Sequence, residues 1–260
     1  MTAPQDTGTL LETDGLTKEF RGFVAVSDVR IAIREGTIHG LIGPNGAGKT
    51  TCFNLLTKFL QPTRGTIRFA GQDITRLKPA DVARLGLIRS FQISAVFPNL
   101  TVLENVRLAL QRERGASFDF WRAEGTLRRY DDRAMALLED VGLTEYATAT
   151  AGSLPYGRKR ALEIATTLAM NPRMMLLDEP TAGMTNEDVD RIVALVKRVA
   201  QGRTVLMVEH NLKVVEGLCD TITVLTRGRV LAEGSYAEVS RNPEVIAAYL
   251  GTEVSSAAHG

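Results

Sequence analysis

Eight residues constrain this chain more than any others: Gly43-Pro44-Asn45-Gly46-Ala47-Gly48-Lys49-Thr50, a match to GxxxxGK[ST]. An apolar run, Ile38 to Ile42, leads straight into them, and a helical pattern from Lys49 to Lys58 follows. Strand, glycine loop and helix in that order form a phosphate-binding unit. Glycines let backbone N–H groups come close to an anion. The helix aims its N-terminus, the positive end of its dipole, at the same spot. Lys49 supplies charge for the β- and γ-phosphates, and the Thr50 hydroxyl is a Mg²⁺ ligand. Thr51 is counted with the nucleotide-binding residues. Such a loop has to hang from a strand end, so it calls for an α/β fold.

The rest of the chain supports that reading. Its 260 residues suffice for one large domain. Apolar stretches around Leu10 to Leu16 and Val24 to Ile33 alternate as strands do, and Thr66 to Phe69 ends in a hairpin turn at Ala70 to Asp73. The segment from about 100 to 170 instead carries three helical patterns, Val102 to Arg112, Leu127 to Val141 and Tyr156 to Met170. It reads as a helical subdomain inserted into the core. Strands and helices then alternate: Met174 to Leu177, Glu187 to Val199, Thr204 to Val208 and Leu212 to Leu218. A strand pair, Thr221 to Thr226 and Arg229 to Glu233, closes the series. That order predicts a largely parallel sheet with helices on both faces, beside an N-terminal antiparallel β subdomain. The expected domain is a single unit over 10–251, with its core and β subdomain over 10–99 and 171–251. Residues 1–9 read as a disordered lead and 252–260 as a flexible tail.

The formal net charge of +1 argues against a general polyanion surface, and nucleic acid is not an expected partner. No apolar run reaches the length of a membrane span, and Met1 to Leu11 lacks the pattern of a secretory leader. Cys52 and Cys219 are far apart and read as two buried thiols rather than a disulfide or a metal site.

A second strand end carries acid. Met174-Met175-Leu176-Leu177 runs into Asp178-Glu179-Pro180. Strand ends are where open α/β sheets place ligand-binding groups. Asp178 suits Mg²⁺, and Glu179, one residue on, points differently and suits polarising an attacking water.

Leu154-Pro155-Tyr156-Gly157-Arg158-Lys159-Arg160 opens a helix shortly before that strand. It resembles the LSGGQ signature of ABC ATPases. Ser90-Phe91-Gln92 resembles their Q-loop, Val208-Glu209-His210 their switch-histidine segment, and Phe20 sits where their adenine-stacking aromatic lies. The order and spacing resemble this family from about Leu10 to Gly251. The LPYG form, the run Gly43 to Thr57 and the tail Asn242 to Gly251 are similar to one of the two ATPase subunits of branched-chain amino-acid importers.

The resemblance implies two ATPase subunits facing head to tail with two ATP molecules between them. Each ATP touches the phosphate loop of one chain and the signature helix of the other. It implies Gln92 beside Thr50 and Asp178 at Mg²⁺, Glu179 as general base, His210 at the γ-phosphate and Phe20 on adenine. It implies two membrane permease subunits, an indirect partner in a periplasmic or extracellular solute-binding protein, and a peripheral place on the cytoplasmic face of the membrane. Two departures stand out. Pro155 replaces the signature serine and Tyr156 the first glycine; proline fits a first helical turn but offers no hydroxyl. Ala182-Gly183-Met184-Thr185 lacks the usual interface aspartate. These departures favour pairing with a second, different ATPase subunit.

Other readings fit less well. A soluble ABC ATPase of translation would carry two cassettes, and one of DNA repair a long coiled coil; this chain has one cassette and no sustained heptads. A P-loop kinase gains nothing from Gln92, the signature helix or His210. An exporter subunit, or an importer of an amide, urea or an aromatic acid, shares the same ATPase residues. Arg158-Lys159-Arg160 reads as a solvated helix face or a phosphate-attracting run. His39 reads as structural, and His259 falls in the tail.

Overall fold

The computed structural model describes residues 8–90, 96–112 and 130–249. β1 (Thr9–Phe20) and β2 (Phe23–Arg34) make a long hairpin. Its two-residue turn, Arg21-Gly22, has both residues at positive φ, 47° and 90°. Such a turn matches the twist of the strands it joins. β4 (Arg64–Phe69) pairs with the other side of β1 and β5 (Gln72–Asp73) pairs with β4, giving an antiparallel sheet in the order β2-β1-β4-β5.

The second sheet has the order β10-β9-β3-β8-β7-β6. β3 (Ile38–Ile42), β7 (Met174–Asp178), β8 (Thr204–Val208) and β9 (Thr221–Thr226) run parallel. β6 (Leu87–Arg89) extends the parallel set at one edge, and β10 (Arg229–Gly234) closes the other edge antiparallel. β3 and β8 are buried along their whole length, as strands covered on both faces must be.

Alternation along the strands divides the core. Met175, Leu177, Val205 and Met207 face a helical layer built from α3 (Val102–Arg112), α4 (Asp131–Asp140), α5 (Tyr156–Leu168) and α6 (Asn186–Val199). Met174, Leu176, Leu206 and Val208 face the other way, against the antiparallel sheet and α1 (Lys49–Leu56). A third cluster joins Ile42, Ile222 and Val224 to α7 (Leu212–Leu218), α8 (Tyr236–Val239) and a helix over 243–249.

α6 shows why such a segment is helical. Ile192, Leu195, Val196 and Val199 recur at helical spacing and are buried. Thr185 caps the start by accepting from the Asp188 amide, with Glu187 and Asp188 in the first turn and Lys197 and Arg198 in the last.

The structure differs from the sequence reading at several element ends. α1 stops at Leu56, because Lys58 turns to φ 63° and buries its side chain. α5 stops at Leu168, three residues before Asn171 at φ 48°. Residues 127–129, read as helix, lie outside the described residues, and α4 begins at Asp131. β6 and α2 (Pro79–Arg84) were not expected; three and six residues are too few to show a period. Cys52 is buried and Cys219 half-buried, both as free thiols.

Candidate active site

Leu41, Val208 and Asp178 lie in one row across β3, β8 and β7. The chain leaves the sheet just beyond that row on all three strands. β3 runs on into the glycine loop, β8 into Glu209-His210, and β7 into Glu179-Pro180. Register alone thus gathers three loops at the carboxyl edge of the sheet, where open α/β folds bind ligands.

The loop is shaped by its neighbours as well as for an anion. A Cβ at Gly43, whose φ is +150°, would sit 2.1 Å from the Leu225 carbonyl oxygen. One at Gly48, φ +99°, would sit 2.6 Å from the Ala25 carbonyl. Gly46, φ +76°, faces open space. The Gly228 amide donates to the Ala47 carbonyl at 2.9 Å, so the β9–β10 turn buttresses the loop. Pro44 is half-buried; Asn45, Gly46 and Thr50 are exposed. Gly48 caps α1, and Thr51 is half-buried in its first turn.

Lys49 is buried, and its Nζ donates to the Gly43 and Pro44 carbonyls at 2.7 and 3.0 Å. Burial pushes its pKa below the usual ammonium value, and the Glu179 carboxylate opposes that shift. Lys49 and Glu179 therefore share one electrostatic environment. Glu179 is exposed and sits at φ 44°, an uncommon conformation for a side-chain-bearing residue. Its amide donates to the Val208 carbonyl at 2.9 Å. That bond holds the strained residue at the sheet edge.

Asp178 Oδ2 accepts from Arg89 Nη2 at 2.6 Å, and its carbonyl accepts from Arg160 Nη2 at 2.9 Å. No group of three His, Cys, Asp or Glu among the described residues could hold a metal by itself. The donors at hand are the Thr50 alcohol and the Asp178 carboxylate. Hard oxygens of this kind fit Mg²⁺, which takes one or two carboxylates and is held otherwise by phosphate and water.

His210 is exposed at the end of β8, and its amide donates to Glu209 Oε2 at 3.0 Å. Glu209 is fully buried. Its other oxygen accepts from the Thr181 amide and hydroxyl at 3.1 and 2.5 Å. One carboxylate therefore fastens the loop after Glu179 to the loop that carries His210. The sequence reading gave Glu209 no role. Its signal was an acid placed between buried Val208 and His210, where a solvated side chain has no room.

Phe20 is 41% exposed at the hairpin tip and pairs across the turn with Phe23, which is 69% exposed. Ala25, two residues beyond Phe23, approaches Gly48, so the tip stands beside the phosphate loop. Lys18 Nζ lies over the Phe20 ring, 5.0 Å from its centre, whereas Phe23, to which sequence gives no role, is the more exposed ring. Gln92 lies outside the described residues, as does Phe91.

The signature segment stands apart. Among the described residues no hydrogen bond joins 154–158 to the phosphate loop. Leu154 is buried, Pro155 and Tyr156 are exposed, and Gly157 and Arg158 are half-buried. Pro155 is the N-cap of α5, with ψ 157°, rather than a residue of its first turn. Its extended conformation leaves its carbonyl to accept from the Lys159 amide, and the missing N–H costs nothing there. The basic run is solvated only in part: Arg158 and Lys159 are half-buried. Arg160 is buried against Glu163 at 2.6 Å. Arg158 donates to the Gly142 carbonyl and lies over the Tyr146 ring. Burial raises the Glu163 pKa, and Arg160 opposes that shift.

His39 is buried, with Nε2 2.8 Å from the Thr223 hydroxyl, and its pKa is pushed down to about 4 by burial. It sits at the opposite end of β3 from the loop, in keeping with a structural role.

Comparisons with known proteins agree with this geometry. The family model described as "ABC transporter" matches residues 26–182, and that of the "Branched-chain amino acid ATP-binding cassette transporter" matches residues 229–255. The high-affinity branched-chain amino acid transport ATP-binding protein BraF of Pseudomonas aeruginosa is 41% identical over 252 residues, 93% of this chain and 98% of BraF. LivG of Escherichia coli, which carries the same description, is 39% identical over 249 residues, with coverage of 93% and 98%. The ADP conformation of MJ1267, an ATP-binding cassette of an ABC transporter, superposes with a TM-score of 0.81 at 29% identity, covering 94% of this chain and 99% of that one. Fold and relatives agree: this chain belongs to the ABC transporter ATP-binding family.

Proposed function

We propose that this chain binds and hydrolyses ATP as the energy-supplying subunit of a membrane importer for branched-chain or related amino acids. The observation that carries the reading is the row Leu41–Val208–Asp178, which brings Lys49, Glu179 and His210 to one sheet edge. The relatives named for branched-chain amino acid transport support the cargo class.

Lys49 and the amides of Gly46, Ala47 and Gly48 hold the β- and γ-phosphates, aided by the N-terminus of α1. Phosphate oxygens replace the Gly43 and Pro44 carbonyls as partners of the Lys49 ammonium. When bound, Mg²⁺ would supply positive charge at the phosphates; Thr50 and Asp178 would hold it, and Gln92, which lies outside the described residues, is proposed as a further ligand. Glu179 takes a proton from the water that attacks the γ-phosphorus, as the bond from phosphorus to the ADP oxygen breaks. His210 donates to the γ-phosphate oxygens, because phosphoryl transfer depends mainly on positioning and electrostatics. Phe20 stacks on the adenine.

The partners are two permease subunits and a second ATPase subunit, with the chain peripheral on the cytoplasmic face of the membrane. A periplasmic or extracellular solute-binding protein delivers cargo to the permeases. The amides of Tyr156, Gly157 and Arg158 have no acceptor within α5 and face a phosphate held by the partner ATPase. The test is hydrolysis by the reconstituted transporter. Phosphate release that rises on addition of a branched-chain amino acid with its binding protein is expected. A transporter stimulated by an unrelated solute and not by these amino acids would refute the cargo assignment.

A further inference from the structure

Arg89 ends β6, in register with Leu176 of β7 and three residues ahead of Gln92. Its Nη2 donates to Asp178 Oδ2 at 2.6 Å and its Nη1 to Asn54 Oδ1 at 2.7 Å. The guanidinium also lies 5.3 Å from the Phe53 ring centre and 5.9 Å from that of Phe59. Phe53 and Asn54 belong to α1, the helix that starts at Lys49. The Arg89 and Asp178 side chains are 16% and 14% exposed, so solvent screens the pair little.

Two features decide what this contact does. Three of the four partners of the guanidinium lie outside Asp178, so Arg89 stays in place whatever the carboxylate binds. And among the described residues Oδ2 is the one carboxylate oxygen of Asp178 with a hydrogen-bond partner. A cation competing for the site would be loosely held and able to leave; this one is clamped. From this we infer that Arg89 is a positioning residue. It grips Asp178 by Oδ2, fixes the carboxylate against the phosphate-loop helix, and turns Oδ1 toward the divalent cation that accompanies the nucleotide. The inference rests on the proposed role of Asp178 at that cation. Partners that orient a ligating carboxylate typically change metal affinity by about 10- to 100-fold. Lysine keeps the charge but cannot make both forked bonds and the ring contacts.

The test uses the full chain with a non-hydrolysable ATP analogue and Mn²⁺ as probe, counting free Mn²⁺ by electron paramagnetic resonance. Arg89→Gln should raise the Mn²⁺ dissociation constant about tenfold or more. Arg89→Lys should give a smaller loss, and it carries the test if the glutamine variant does not fold. Analogue affinity in EDTA should stay within about twofold of wild type in both. In an Asp178→Asn background, Arg89→Gln should add nothing, since the residue acts through that carboxylate. Unchanged or tighter Mn²⁺ binding, full additivity with Asp178→Asn, or an equal loss of analogue affinity in EDTA would each overturn the assignment. A wild-type chain that binds no analogue even with Mn²⁺ present would overturn the ATPase reading with it.

Discussion

The buried carboxylate of Glu209 accepts the Thr181 hydroxyl at 2.5 Å, while its second oxygen takes the His210 and Asn211 amides at 3.0 and 3.2 Å. The loop after Glu179 and the loop that carries His210 thereby share one anchor. In Glu209→Gln, one acceptor oxygen becomes an NH₂ group facing N–H donors. At least one buried donor then loses its partner, at a cost of about 1–3 kcal/mol. Chemical denaturation should show that loss. Turnover should fall with it, while nucleotide affinity, which depends on Lys49, holds.

Glu179→Gln should lower steady-state phosphate release by about 100-fold or more, the usual range for a lost general base. Nucleotide binding, followed with a fluorescent ATP analogue, should persist and trap an ATP-bound dimer. Near-normal turnover in the assembled transporter would remove Glu179 from that role.

The loop glycines should not be equivalent. Gly43→Ala meets the Leu225 carbonyl at 2.1 Å and cannot be accommodated without moving β9. It should destabilise the chain by about 3 kcal/mol or more and abolish nucleotide binding. Gly46→Ala meets nothing within 4 Å, so its cost is the positive φ alone, about 1–2 kcal/mol. Thermal melts of the two variants, compared side by side, check the difference.

His39 predicts a pH dependence. Burial lowers its pKa from 6.5 to about 4. Above 6.5 the imidazole is neutral in folded and unfolded chains and contributes no slope. Between 6.5 and about 4 the unfolded chain takes up a proton that the folded chain refuses, so stability falls as the pH drops. The full loss is on the order of 3 kcal/mol. Urea midpoints across this range should shift in the wild type and flatten in His39→Gln, which keeps a partner for Thr223.

The subunit count tests the pairing. A hydrogen bond to a charged group is worth roughly 1.5–3 kcal/mol, so a signature helix without its serine hydroxyl should weaken the ATP site it covers about tenfold or more. A partner with an intact LSGGQ would repair one of the two sites. The purified transporter should contain one copy of this chain and one different ATPase subunit. A fully active complex with two copies of this chain and no other ATPase would refute this.

The sequence showed most of the fold because its signals are local and periodic. The run Ile38 to Ile42 into the glycine loop, the apolar strand ahead of Asp178 and the hydrophobic stripe of α6 each announce an element within a dozen residues. The phosphate loop and the acid pair were legible for the same reason. What stayed hidden depends on distant partners. Arg89 is one charged residue in a three-residue strand, and its role appears only where β6 meets β7 and α1. Arg160 looked solvated because its neighbours Arg158 and Lys159 are also basic; its burial depends on Glu163 and the Asp178 carbonyl. Pro155 was placed one residue too far into its helix, since sequence does not separate an N-cap from the first turn.

The row Leu41–Val208–Asp178 also acts as a gauge. Hydrogen-bonded strands stand 4.7–4.9 Å apart, so β3 and β7, with β8 between them, hold the lysine loop and the acid pair roughly 10 Å apart. That gap is fixed by main-chain bonds, and no side-chain substitution in β8 can widen or narrow it. The two loops thus start from a spacing set by the backbone, while side chains decide only what each loop presents.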